Sequence, residues 1–331
     1  MSETSPPARE RREELERAVL GDQPTHTSQQ VAAAAGVSLE QARRLWRALG
    51  FPDAGDDAAF TDADLSALQR LAKAVGNDVV DFETAVRLTR AVGQTMARLA
   101  DWQVATLSER VEDLESGPDA TGSRLTAAVE MADEIGPLFE QLLVYAWRRH
   151  MAAAVGRVEA LGAADEDLLT AHLTVGFADL VAFTSLSNGL DEDSLGDLVE
   201  GFESKATDLI ASLGGRVIKT LGDSVLFVTE NATAGVDTAL QIVDVIGADS
   251  ALPDVRVGMA SGPVITRMGD VFGSPVNMAA RLTGVARRNR VIIDHDTAAR
   301  LPRDRFEVRP LPARPLRGFG SVEPIAVRRT R

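Results

Sequence analysis

The chain has 331 residues, of which 45% are hydrophobic and 25% charged, with no cysteine and a formal net charge of −14. That length accommodates two domains, each with its own core. The missing cysteine excludes a disulfide framework, thiolate catalysis and a Cys-based zinc or iron–sulfur centre. The acid surplus repels the phosphates of a long nucleic acid, so no nucleic-acid partner is expected. A single nucleotide chelated to cations escapes that penalty.

The first residues, MSETSPPARERREELERA, are polar and charged and lack the apolar run of a secretory signal. The apolar stretches VAAAAGV at 31–37 and MAAAV at 151–155 are far shorter than the roughly 20 residues that cross a bilayer. No integral membrane segment is expected, and a cytoplasmic location is. Residues 1–165 read as an all-helical domain. Ser38 with Gln41 makes a capping box for LEQARRLWRALG, Gly50 supplies the stop and Pro52 follows. Thr61 with Asp64 repeats the opening of that signal before DLSALQRLAKAVG. A longer periodic segment carries Phe82, Val86, Met96 and Leu99, and the turn-rich SGPDATGS at 116–123 separates it from another helical stretch with Phe139, Tyr145 and Trp147. VAAAAGVSLEQARRLWRALGFP is read as two short helices joined by a turn, with RRLWRALG the exposed basic one, a pattern of helix-turn-helix or winged-helix origin. Trp46, Trp102, Phe139 and Trp147 are expected in the core or at a dimer interface.

Residues 166–331 alternate strands and helices. LTVGFADL is a strand, SLGDLVEGFESKATDLIASLGG a helix closed by Gly214 and Gly215, and RVIKTLGDSVLFVT two strands around a Gly-Asp turn. A helix, TAGVDTALQIVDVIGA, then leads to VRVGMASGPVITRMGDVFG, read as strand, turn and strand. VNMAARLTGVARR is a further helix. The β-α-β-β-α-β opening predicts an α+β fold of split-βαβ, ferredoxin-like type with additions at its C-terminal end.

Two carboxylates stand out. Asp179 ends an apolar strand and precedes LVAFTSLSNG, a turn and helix start whose N–H groups suit a phosphate. Asp223 occupies the turn of KTLGDSVLF, where Gly222 permits the bend. If adjacent central strands bring those loops together, the carboxylates hold two divalent cations, and hard Mg²⁺ or Mn²⁺ suits them better than zinc. The competing reading is that both are ordinary turn residues at strand ends.

The succession FADLVAFT, KTLGDSVLF, RVGMASGPV, GDVFGSPVNMAARL and LRGFGSVEPIAV resembles the catalytic domain of class III adenylate cyclases, the family that also contains guanylate cyclases. The resemblance covers about residues 168–331. It implies conversion of ATP to 3′,5′-cyclic AMP and pyrophosphate with two Mg²⁺ or Mn²⁺ ions per site, and a head-to-tail homodimer whose active sites lie between the subunits. Carried onto this chain, Asp179 and Asp223 of one protomer bind the cations, with backbone at Phe183 and Thr184 near the phosphates. Lys219 and Asp270 of the other read adenine, Lys219 donating to ring N1 and Asp270 accepting from the 6-amino group. Asn277 positions the ribose and Arg281 stabilises charge on the α-phosphate. Asn277 and Arg281 lie four apart, on one helix face. Guanylate cyclases of the family carry Glu and Cys or a small residue at the two base-reading positions, so the Lys–Asp pair implies ATP.

One departure is visible: in LRGFGSVEP, Phe319 stands at or near the place of a phosphate-binding Lys in some members, with Arg317 the candidate substitute. His26, His150, His172 and His295 form no ligand set. The first half resembles the helical regulatory domain of soluble actinobacterial adenylate cyclases, which implies a pH signal, a fatty acid or another small effector acting on that half. The alternative reading is a nucleotide-responsive regulatory protein that keeps the fold and has lost turnover.

Overall fold

The computed structural model describes residues 15–118, 120–160, 170–267 and 269–330. The chain divides into two compact units, residues 1–154 and 155–331.

In the first unit, short helices are set by their caps. Strand β1 (His26–Thr27) leads into α1 (Ser28–Ala35), and a turn through Gly36 and Ser38 leads into α2 (Leu39–Leu49). Thr27 with Gln30 and Ser38 with Gln41 form reciprocal capping boxes, and Gly36 and Gly50 close both helices in the left-handed region. Strand β2 (Ala58–Phe60) pairs antiparallel with β1, a two-residue-wide ladder that helical periodicity does not announce. The capping box of Thr61 and Asp64 starts α3 (Asp62–Gly76), and Asp81 caps the 34-residue α4 (Phe82–Glu115). The 37-residue α5 (Arg124–Ala160) follows, with Pro137 inside it.

Val31, Leu45, Trp46, Phe60, Leu68 and Val86 form the main core of this unit, with the Trp46 and Phe60 rings 4.3 Å apart. The reading of RRLWRALG as an exposed basic helix therefore needs correction: α2 buries Leu45, Trp46 and Ala48. Two of its three arginines also lie near carboxylates of the same unit, Arg44 at 2.7 Å from Glu83 and Arg43 at 3.6 Å from Asp53, and only Arg47 is exposed. Trp46 is a core residue as expected. Trp102 and Trp147 are exposed by 61% and 60%, which takes both out of the core of this chain.

The second unit is built on a sheet of eight strands among the described residues, in the order β4-β5-β3-β6-β8-β12-β9 with β7 beside β6. Its opening comprises β3 (Thr170–Leu180), α6 (Phe183–Ser187), α7 (Glu192–Ser212), β4 (Arg216–Thr220), β5 (Ser224–Thr229), α8 (Ala232–Ile246) and β6 (Val255–Arg267). β5 and β6 both run antiparallel to β3, which is the split-βαβ arrangement. Then come β7 (Asp270–Phe272), α9 (Ser274–Val285), β8 (Arg290–Ile293), α10 (His295–Ala299), β9 (Phe306–Pro310), β10 (Arg314–Leu316), β11 (Gly320–Val322) and β12 (Ile325–Arg329).

Both faces of the central strands are covered, so they read as continuous apolar runs rather than as alternation. In β5, Val225 and Phe227 join α7 and α8 in one core, while Leu226 and Val228 face the cluster that includes Ala279 of α9. α9 lies directly on β6 because that strand offers two glycines. A Cβ at Gly258 would stand 2.1 Å from the Thr283 nitrogen, and one at Gly262 would meet the Pro275 ring at 2.8 Å. The close seat fixes the helix that carries Asn277 and Arg281.

Candidate active site

Asp179 lies at the end of β3 and pairs in register with Ser224, the residue after Asp223. The Leu180 N–H donates to the Asp223 carbonyl at 2.9 Å, tying the two acidic segments together. Gly222 in the intervening turn has φ of 67°, the left-handed conformation that glycine takes without strain. The β3–β5 adjacency thus brings together the two residues that the sequence separates by 44 positions. Burial pushes the Asp223 carboxyl above its ordinary range, and the charge of Asp179 pushes it further; a backbone hydrogen bond and Arg256 only partly oppose this. Two hard-oxygen carboxylates that repel each other in this way fit a divalent cation. No cluster of three or more His, Cys, Asp or Glu occurs among the described residues. Further ligands therefore have to come from backbone oxygen, water or a bound phosphate.

The structure adds a residue that motif spacing did not reveal. Arg256 of β6 stands directly opposite Asp179 in the ladder. Its Nε and Nη2 lie 2.8 and 2.6 Å from Asp179 Oδ2, and the Ser224 hydroxyl donates to Oδ1. The signal was present as a cation in the strand beside β3, but only the register converts it into a contact.

Beyond Asp179 the chain turns through Ala182, at φ 61°, into α6, and no side chain caps that helix. Phe183 and Thr184 open this five-residue helix, in the first turn, where backbone N–H groups have no intrahelical partner. Thr184 is exposed and Phe183 packs partly against the core.

Lys219 and Asp270 also meet. Lys219 Nζ lies 2.6 Å from Asp270 Oδ2, across 51 positions of sequence, and both side chains are about one-third exposed. A register shift between Val217 and Lys219 sets Lys219 opposite Leu226, and such a bulge re-aims the side chain that follows it. Asp270 opens β7. Burial disfavours its charge, but hydrogen bonds from Lys219 and the Val271 N–H, with the charge of Lys219, outweigh burial and hold its carboxyl below the usual range. The pair presents a donor and an acceptor side by side.

Asn277 and Arg281 are both exposed on α9, one helical turn apart, opposite the face seated on Gly258. Among the described residues no hydrogen bond or ion pair connects these two side chains to the carboxylates or to Lys219 and Asp270. Phe319 packs beside Leu282, Ile292 and Leu316, whereas Arg317 in the β10–β11 turn is exposed. The histidines form no ligand cluster among the described residues: His26 pairs with Asp62, and His172, seven residues before Asp179 on β3, pairs with Arg300.

Both halves of the chain match nucleotide cyclases. The family described as "Adenylate and Guanylate cyclase catalytic domain" matches residues 169–327, and the one described as "Adenylate cyclase regulatory domain" matches residues 10–151. An adenylate cyclase of Streptomyces coelicolor is 41% identical over 337 residues, covering 94% of this chain and 87% of its own. One of Streptomyces griseus is 38% identical over 350 residues with the same two coverages. One of Glutamicibacter nicotianae is 38% identical over 326 residues, covering 94% and 80%. The chain belongs to the class III adenylate cyclases, an enzyme family that acts on ATP through divalent metal, here with an amino-terminal regulatory domain. Nothing favours the alternative of an inactive cyclase fold. No helix among the described residues is long and apolar enough to cross a membrane.

Proposed function

We propose that the protein is a cytoplasmic adenylate cyclase whose two active sites are each completed by two subunits of a head-to-tail homodimer. Residues 166–331 perform the chemistry and residues 1–165 set its rate in response to pH, a fatty acid or another small effector. Asp179 and Asp223 of one subunit hold two Mg²⁺ or Mn²⁺ ions, whose chemistry when bound is to lower the pKa of the attacking ribose 3′-oxygen and to offset triphosphate charge. The N–H groups at Phe183 and Thr184 face the phosphates. From the other subunit, Asn277 orients the ribose for in-line attack and Arg281 neutralises charge that develops on the α-phosphate as pyrophosphate leaves.

The observation that carries ATP as substrate is the Lys219–Asp270 pair, with Nζ and Oδ2 2.6 Å apart. Adenine offers an acceptor at ring N1 and a donor at the 6-amino group, which matches a donor and an acceptor held side by side. Guanine reverses both, so it would meet donor with donor and acceptor with acceptor. Two charge-assisted hydrogen bonds at about 1.5–3 kcal/mol each correspond to roughly 10²–10⁴-fold in kcat/KM. Changing Lys219→Glu together with Asp270→Cys is expected to lower ATP turnover by that order while the fold persists. A double variant with its original preference for ATP over GTP would remove the base-reading assignment.

A further inference from the structure

We propose that Arg256 is the resident counter-charge of Asp179, and that a divalent cation gains this carboxylate only by displacing the guanidinium. The inference rests on the reading of Asp179 as a cation ligand. Its geometry is set by the sheet: Arg256 lies across the β3–β6 ladder from Asp179, and two of its nitrogens converge on Oδ2 at 2.8 and 2.6 Å. The Ser224 hydroxyl takes Oδ1. Both oxygens of Asp179 are thus engaged, and the side chain is only 14% exposed.

Asp223 is treated differently. Among the described residues it has no ion-pair partner, although its backbone carbonyl accepts from the N–H of Leu180, the residue next to Asp179. One carboxylate is open to an arriving cation and the other is already satisfied. A cation that shares Oδ2 with a guanidinium meets like charge at contact distance, where repulsion is little screened. The free enzyme is therefore held in a state of weak metal affinity. It takes up its full complement when the cations arrive together with a polyanion that repays the loss of the Arg256 contact.

Two effects of removing Arg256 oppose each other. Loss of a partner frees the Asp179 rotamer, which weakens cation binding by no more than about fivefold for one short side chain. Loss of a positive charge and of direct competition strengthens it by more, at least about tenfold net, the change that corresponds to about 1.4 kcal/mol. The sign of the result separates a competing cation from a merely supporting one.

The test is Mn²⁺ titration of the nucleotide-free, full-length protein, with free Mn²⁺ read from its paramagnetic resonance signal and folding verified by thermal melting. Arg256→Gln is expected to bind Mn²⁺ at least about tenfold more tightly than wild type. Arg256→Lys, which keeps the charge, is expected to stay within a few-fold of wild type. Adding Asp179→Asn to Arg256→Gln is expected to abolish the gain. Equal or weaker binding in Arg256→Gln would overturn the proposal, as would the same tightening in Arg256→Lys. If no variant binds Mn²⁺ in a way that depends on Asp179, the metal assignment itself fails, an outcome distinct from bound metal that is indifferent to Arg256.

Discussion

Replacing Gly258 by Ala tests the seat of α9 directly. The added Cβ would stand 2.1 Å from the Thr283 nitrogen, 2.5 Å from the Ala279 carbonyl oxygen and 2.5 Å from Thr283 Oγ1. Two of these are backbone atoms of α9, so no side-chain rotation relieves the overlap, and the helical turn has to retreat by at least about 1.3 Å to restore ordinary contact. Arg281 sits between Ala279 and Thr283 on that turn, and the Thr283 hydroxyl, which donates to the Ala279 carbonyl at 2.8 Å with the Phe177 carbonyl 3.3 Å away, would lose its place. Overpacking of this kind costs about 1–3 kcal/mol. A misplacement of about 1 Å at a catalytic group costs roughly 100-fold in rate. The expected result is a folded protein, destabilised by about 1–3 kcal/mol in urea melts, whose cyclic AMP production falls by roughly two orders of magnitude. Gly196→Ala on α7, where a Cβ would have nothing within 4 Å, serves as control: it should leave the rate unchanged and raise stability by about 0.5–1 kcal/mol, the ordinary gain of alanine over glycine inside a helix. Gly258→Ala with wild-type stability and rate would refute the claim that this contact positions Arg281.

The raised carboxyl of Asp223 makes the metal-free protein sensitive to pH. A carboxyl whose pKa is higher folded than unfolded contributes stability below its unfolded value and loses it as pH rises through the folded one. Without metal, Asp223→Asn should therefore raise the melting temperature at pH 7, with the gain fading toward pH 4. A gain that grew as the pH fell would contradict the assignment. Comparing full-length protein with residues 165–331 from pH 5.5 to 8, with and without fatty acid, should reveal a change in cyclase rate at matched dimer occupancy. A coupling of 1–3 kcal/mol would appear as roughly 5–150-fold. Equal rates throughout would leave the first unit without that regulatory role.

The sequence made the ends of elements plain where a cap has a chemical signature. Ser38 with Gln41 and Thr61 with Asp64 are reciprocal caps in the structure, and Gly50 is the left-handed stop. The order of strands and helices in the second unit was equally legible, because the apolar runs differ in length and are broken by Gly. The β1–β2 ladder was not, since two or three residues of pairing leave no periodicity. Asp179, Asp223, Lys219 and Asp270 were each visible as polar residues in apolar surroundings. Their pairing depends on strand order, and the aim of Lys219 depends on a bulge that no residue type encodes. Arg256 was missed because its partner lies 77 positions away across a ladder whose register has to be known. Phe319, which the sequence set against a phosphate-binding lysine, is packed with Leu282 and Leu316, and that packing follows from the β10–β11 hairpin rather than from any local pattern.

The shared active site is tested most directly by subunit mixing. Asp179→Ala removes a cation ligand and Arg281→Ala removes the charge facing the α-phosphate, so each protein alone should form almost no cyclic AMP from ATP and Mn²⁺. In a randomly exchanged equal mixture, half of the dimers are mixed, and each mixed dimer places both defects in one site and none in the other. The mixture should recover about a quarter of the wild-type rate. No recovery, with subunit exchange verified by mass-tagged protomers, would contradict a site built from two subunits.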